Sequence, residues 1–101
     1  MRAAVSGFDW DTGNRAKCQK HGVPVSEIEG LFDRPLLLVP DLSHSQSEER
    51  LRAIGKTAGG RAVFLVFTIR VRAGKRFIRP ISARYMHGKE VRHYEKENPD
   101  V

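Results

Sequence analysis

One cysteine, Cys18, stands in 101 residues, so no internal disulfide can brace the chain and a packed core must hold it together. Long apolar runs are missing as well. The longest falls far short of the roughly 20 residues that a bilayer-spanning helix needs. The N-terminus shows none of the basic, apolar and small-residue succession of a secretory leader. The cytoplasm is therefore the expected compartment. Metal-ligand spacing is also absent: His44, His87 and His93 are unpaired in sequence, and a lone cysteine adds nothing to them. Gly59-Gly60 lacks the Lys-Ser/Thr of a phosphate loop, and no serine occupies a nucleophile elbow. No metal and no cofactor are expected. Repeats, linkers and low-complexity tracts are absent too, which leaves a single domain over residues 1–101.

Acidic residues are scarce relative to basic ones. Twelve Asp and Glu face eighteen Lys and Arg, giving a net charge of +6 and a pI near 10.0. In so small a domain this excess points to a polyanionic partner, nucleic acid or an acidic protein. The plainer alternative is a basic surface that only keeps the protein soluble.

Residues 60–85 form the stretch around which the chain is organised. Residues 62–69 (AVFLVFTI) are rich in β-branched side chains, include two phenylalanines and contain no Gly or Pro. This is the composition of a strand buried on both faces. Arg72, Ala73, Gly74 and Lys75 then form a hairpin loop, with Gly74 free to take a positive φ. The return run, 76–84, contains Pro80, which has no N–H for a ladder and predicts a bulge or an open edge there. Strict alternation places Arg79 and Arg84 on opposite faces, whereas a bulge at Pro80 would bring them to one side. Arg70, Arg72, Arg76, Arg79 and Arg84 are expected to project from this sheet.

Elsewhere the pattern predicts a small α+β domain. Residues 4–10 make a short first strand ending in Phe8 and Trp10, aromatics expected to be exposed and available to a partner. Asp11 caps a first helix over 12–21, closed by Gly22. Asn14, Lys17 and His21 fall on one face of it, with Lys20 adjacent; cations in a last turn also simply favour the helix dipole. Ser26 and Glu29 have capping-box spacing, which starts a second helix carrying Ile28, Leu31 and Phe32 towards the core. Residues 36–39 form a strand ended by Pro40, and 41–50 a polar loop. Strands over 50–57, 61–71 and 76–84 then make an antiparallel meander. A last helix over 87–97 places His87, Glu90, Val91 and Tyr94 on one face.

The chemistry-bearing residues left over are cations, imidazoles and a few carboxylates: Lys17, Lys20, His21, His44, Glu48, Glu49, Arg50, Arg79, Arg84, Glu90 and Tyr94. Metal-free cleavage of RNA needs a group to take the 2′-OH proton, cations at the phosphate, and a donor to the leaving 5′-oxygen. Arginine suits the phosphate because its planar fork stays charged and grips two oxygens. The same residues also have ordinary readings: Glu49 with Arg50 as a surface ion pair, His44 as a solvated turn residue, Tyr94 as core packing.

Read in order, FDWD (8–11), KHGV (20–23), LF (31–32), HSQSEER (44–50), IG (54–55), ISAR (81–84) and the closing E-x-x-x-Y (Glu90, Tyr94) resemble the BrnT family of bacterial toxins. The resemblance implies a RelE-like α+β fold, with an antiparallel β-sheet, two N-terminal helices and a C-terminal helix. It implies a ribonuclease that stops translation and a BrnA-type antitoxin, ribbon-helix-helix-like, through which alone operator DNA is bound. Carried onto this chain as a cluster, the site comprises Arg79 and Arg84 on the phosphate and His21 or Glu49 as base. Lys20, Arg50 and Tyr94 support them, and Lys17, His44 and Arg70 are further RNA contacts.

Overall fold

The computed structural model describes residues 5–40 and 50–97. Five strands make one mixed sheet: β1 (Gly7–Phe8), β2 (Leu37–Pro40), β3 (Leu51–Lys56), β4 (Ala62–Arg72) and β5 (Lys75–Tyr85), in the order β1-β5-β4-β3-β2. The expected meander is present as β3, β4 and β5, with β2 antiparallel on β3. β1 differs. It runs parallel to β5 through Gly7 opposite Phe77 and Phe8 opposite Ile78. The β4–β5 turn is Ala73-Gly74, with φ of 52° and 77°, the two positive values that a tight primed turn requires.

Helix α1 (Thr12–Gln19) starts where the sequence places it. The Asp11 carboxylate accepts the Asn14 N–H at 2.9 Å, and the Asn14 side-chain oxygen accepts the Asp11 N–H at 2.7 Å. The helix stops at Gln19, two residues early, so His21 sits in the turn ahead of Gly22 at φ +80°. Helix α2 (Val25–Leu31) is capped by Pro24 and not by Ser26, which lies one residue inside the helix. Glu29, expected to complete that capping box, instead accepts the Trp10 indole N–H at 2.9 Å. A long-range bond thus takes the carboxylate from a local one.

The apolar core lies between these two helices and the face of the sheet carrying Val63, Leu65, Phe67, Ile78 and Ala83. Phe8 enters it edge-on against Phe32 at 5.6 Å between centroids, and Phe32 meets Phe67 at 5.3 Å. The first-strand aromatics are therefore not the exposed surface expected of them. Leu38 and Val71 are the exposed large apolar residues among those described. Helix α3 (Gly88–Glu97) is anchored from the opposite face by Arg84–Glu90 and Lys56–Glu95 pairs, with Tyr94 buried.

Cys18 is fully buried in this core, and burial pushes its thiol up to about 11. Native protein should leave an aromatic disulfide reagent unreacted at neutral pH, with one thiol released only as the chain unfolds. Rapid labelling of the folded protein would show that the core does not enclose α1.

Candidate active site

Beyond Ile78 the outer edge of β5 has no strand beside it among the described residues, and α1 lies along that edge instead. Asn14 makes the junction. Its amide donates to the carbonyls of Asp9 at 3.0 Å and Pro80 at 2.8 Å, while the rest of its side chain closes the helix cap. The β5 strand is irregular at this point: Val66 faces Ser82 but Phe67 faces Pro80, leaving Ile81 as an extra residue. Arg79 is consequently opposite Thr68 and Arg84 opposite Phe64, so both arginines leave the same face of the sheet. The bulge overturns the plain alternation and does so next to the proline that predicted it.

The α1–β5 junction holds two hollows. The larger, about 640 Å³, is lined by Asp11, Thr12, Gly13, Asn14, Lys17, Arg79 and Ile81. The smaller, about 100 Å³, is lined by His21, Phe64, Ser82, Ala83 and Arg84. The predicted cluster is therefore divided: Lys17 and Arg79 share one hollow, His21 and Arg84 the other. Lys20 is exposed at the end of α1, and Arg70 is exposed on the β4 ribbon opposite Phe77. Arg50 immediately precedes β3 and is half-buried. Tyr94 is buried on α3, where desolvation pushes its hydroxyl pKa up, and it lines neither hollow. His44, Glu48 and Glu49 lie outside the described residues.

The two arginines are not bare cations. Arg79 reaches Asp11 at 2.8 Å and Asp9 at 3.7 Å, and Asp9, itself buried, also takes Arg72 at 2.9 Å. The Asn14 N–H, helped by Arg79, holds the Asp11 carboxyl below its ordinary range. Arg84 is gripped by both oxygens of Glu90 at 2.9 Å and lies 5.0 Å over the Phe64 ring. Arg84, with the His87 N–H, depresses Glu90 to about 2. The side chains of Lys17, Lys20 and His21 have no hydrogen-bonding or ionic partner among the described residues. A phosphate at the smaller hollow would meet the His21 ring and the Ser82 hydroxyl, with Arg84 turning from Glu90 to reach it. Sequence reasoning passed over Ser82, which sits inside the ISAR stretch, and Asp11 beyond its capping role.

Among the described residues no cluster of His, Cys, Asp and Glu could hold a metal ion, and no helix is long and apolar enough to cross a membrane. Residues 10–90 match the family model described as "Ribonuclease toxin, BrnT, of type II toxin-antitoxin system". No individually curated protein matches the chain. A small α+β domain with a basic groove here takes its place among the ribonuclease toxins of type II toxin-antitoxin systems. Within that class the chain belongs to the BrnT family, whose systems pair each toxin with an antitoxin.

Two variants test this geometry. Asn14→Ala strands the buried Pro80 and Asp9 carbonyls and removes the side-chain half of the capping box, the acceptor for the Asp11 N–H, and should cost about 3 kcal/mol in urea unfolding. A loss under about 0.5 kcal/mol, as for an ordinary surface substitution, would deny it the joining role. Glu90→Gln removes a carboxylate whose folded pKa lies below its ordinary 4.5. Its contribution is present above that value and lost as pH falls towards 2. Wild type should melt higher than Glu90→Gln at neutral pH, and the two melting curves should converge between about 4.5 and 2. A gap independent of pH would mean that the Arg84 pair contributes nothing.

Proposed function

We propose that this chain is a metal-independent endoribonuclease toxin that cleaves RNA and thereby inhibits translation in the cytoplasm. A BrnA-type antitoxin, ribbon-helix-helix-like, neutralises it and carries the complex to operator DNA. The observation that carries this reading is His21 beside Arg84 across one small hollow, in a chain whose residues 10–90 match a ribonuclease toxin family.

In the reaction, the 2′-oxygen of a ribose attacks the adjacent phosphorus as its proton passes to His21. The bond from phosphorus to the 5′-oxygen breaks, leaving a cyclic phosphate on one product and a hydroxyl on the other. Arg84 stabilises the charge that grows on the phosphoryl oxygens. Lys20, or water, supplies the proton that the departing 5′-oxygen takes up. Lys17 and Arg79 receive the strand in the larger hollow, with Asp9 and Asp11 holding the Arg79 fork in one orientation. Glu49 is the other candidate base, with Arg50, His44 and Arg70 as outlying cationic or polar contacts.

A second reading has an observation of its own. Arg79 and Arg84 are both engaged by carboxylates, as befits a structural role in a non-catalytic module that binds nucleic acid or protein. Purified protein incubated with single-stranded RNA in EDTA decides between them. Wild type should cleave in chelator, and His21→Ala and Arg84→Ala should each slow cleavage by about 100-fold or more. RNA that stays intact while still bound would favour the module. Cleavage abolished by EDTA would end the metal-free mechanism.

A further inference from the structure

We infer that the free end of the β4–β5 hairpin is a second contact for the RNA backbone, outside the groove; this deepens the ribonuclease reading and rests on it. The pairing of β4 with β3 ends at Phe67 opposite Leu51. From there Thr68 to Arg72 and Lys75 to Arg79 continue as a two-stranded ribbon, flanked by β1 at Phe77 and Ile78 and by the Ser6 N–H, which donates to the Arg76 carbonyl at 2.7 Å. Five residues at about 3.3 Å each carry this arm roughly 17 Å past the end of β3. All of residues 70–76 are exposed.

The arm's charge has one sign. Arg70, Arg72, Lys75 and Arg76 crowd its end, and residues 50–89 hold eleven Lys and Arg and no Asp or Glu. Arg72 stands directly opposite Lys75. A like-charged pair in that position destabilises a ribbon, where an opposite pair would stabilise it. Asp9, from β1's end, offsets Arg72 and, at the base of the arm, Arg79; Lys75 and Arg76 have no carboxylate partner among the described residues. A turn placed for stability alone would not be charged in this way, and a polyanion lying across it relieves the repulsion.

RNA fits better than an acidic protein. A protein interface needs aromatic or aliphatic anchors in desolvated pockets, and the exposed part of the arm offers only Val71. Phosphate contacts need only exposed cations. The arm also begins where the groove ends, since Arg72 and Arg79 converge on the same Asp9 carboxylate. A strand leaving the larger hollow past Arg79 therefore runs directly onto the ribbon.

The test is anisotropy binding of a labelled single-stranded RNA, 2′-O-methylated so that it offers no attacking hydroxyl, against a short oligonucleotide that fills only the groove. For Lys75→Gln/Arg76→Gln the long RNA should bind more weakly. Its plot of log affinity against log salt should be shallower by about 1.4, or about 0.7 per lost phosphate contact. The short oligonucleotide should bind as to wild type, and Lys75→Arg/Arg76→Lys should restore long-RNA binding. Unchanged affinity and slope for the long RNA would overturn the inference. So would a double variant that keeps RNA binding but no longer forms the antitoxin complex, because the arm would then be a protein contact. Arm-dependent binding by a wild type that leaves unmodified RNA intact would uphold the arm contact and reject the ribonuclease reading.

Discussion

A single buried carboxamide holds the functional side of this molecule together. Asn14 closes the α1 cap, ties the end of β1 through the Asp9 carbonyl and fixes the bulged stretch of β5 through the Pro80 carbonyl. Each of these backbone groups would otherwise be a buried orphan at the point where regular pairing stops. The sheet can lose its edge partner after Ile78 only because a helix brings its own polar side chain to replace the missing ladder. The groove is what that replacement leaves.

The electrostatics of the groove follow from the same arrangement. A domain with a net charge of +6 would be expected to offer bare cations to an anion. Instead Arg79 and Arg84 are preassembled on carboxylates supplied by β1, the α1 cap and α3. Such pairing holds a guanidinium in place without leaving it desolvated and alone. An isolated small anion competes poorly with Glu90, which is tethered beside Arg84 by six residues of chain. A polymer that also engages Lys17 and Lys20 has further contacts to offset the exchange.

Much of this was legible in the sequence because it depends on local rules. The Asp11 cap, the Gly22 and Gly74 turns, the meander and the bulge beside Pro80 come from residues whose backbone preferences are narrow. What escaped depends on partners far along the chain. Glu29 has the spacing of a capping carboxylate, yet Trp10, nineteen residues away, takes it. Phe8 reads as an exposed strand aromatic until Phe32 and Phe67 form a pocket for it. No local pattern says that β1 will pair in parallel with β5, nor that Arg84 will face Glu90. The candidate site was legible as an inventory; its division into two hollows follows from the bulge and from where α1 stops.

The bond between Asn14 and Pro80 closes a loop of 66 positions, and it bears on the chain while it is being made. The helix that forms one wall leaves the ribosome 66 residues ahead of the strand that forms the other. At about 5–20 residues per second the interval is roughly 3–13 seconds. Throughout that time the nascent polypeptide has one wall of the groove and not the other. The groove therefore cannot exist before β5 has emerged, however early the helix has formed.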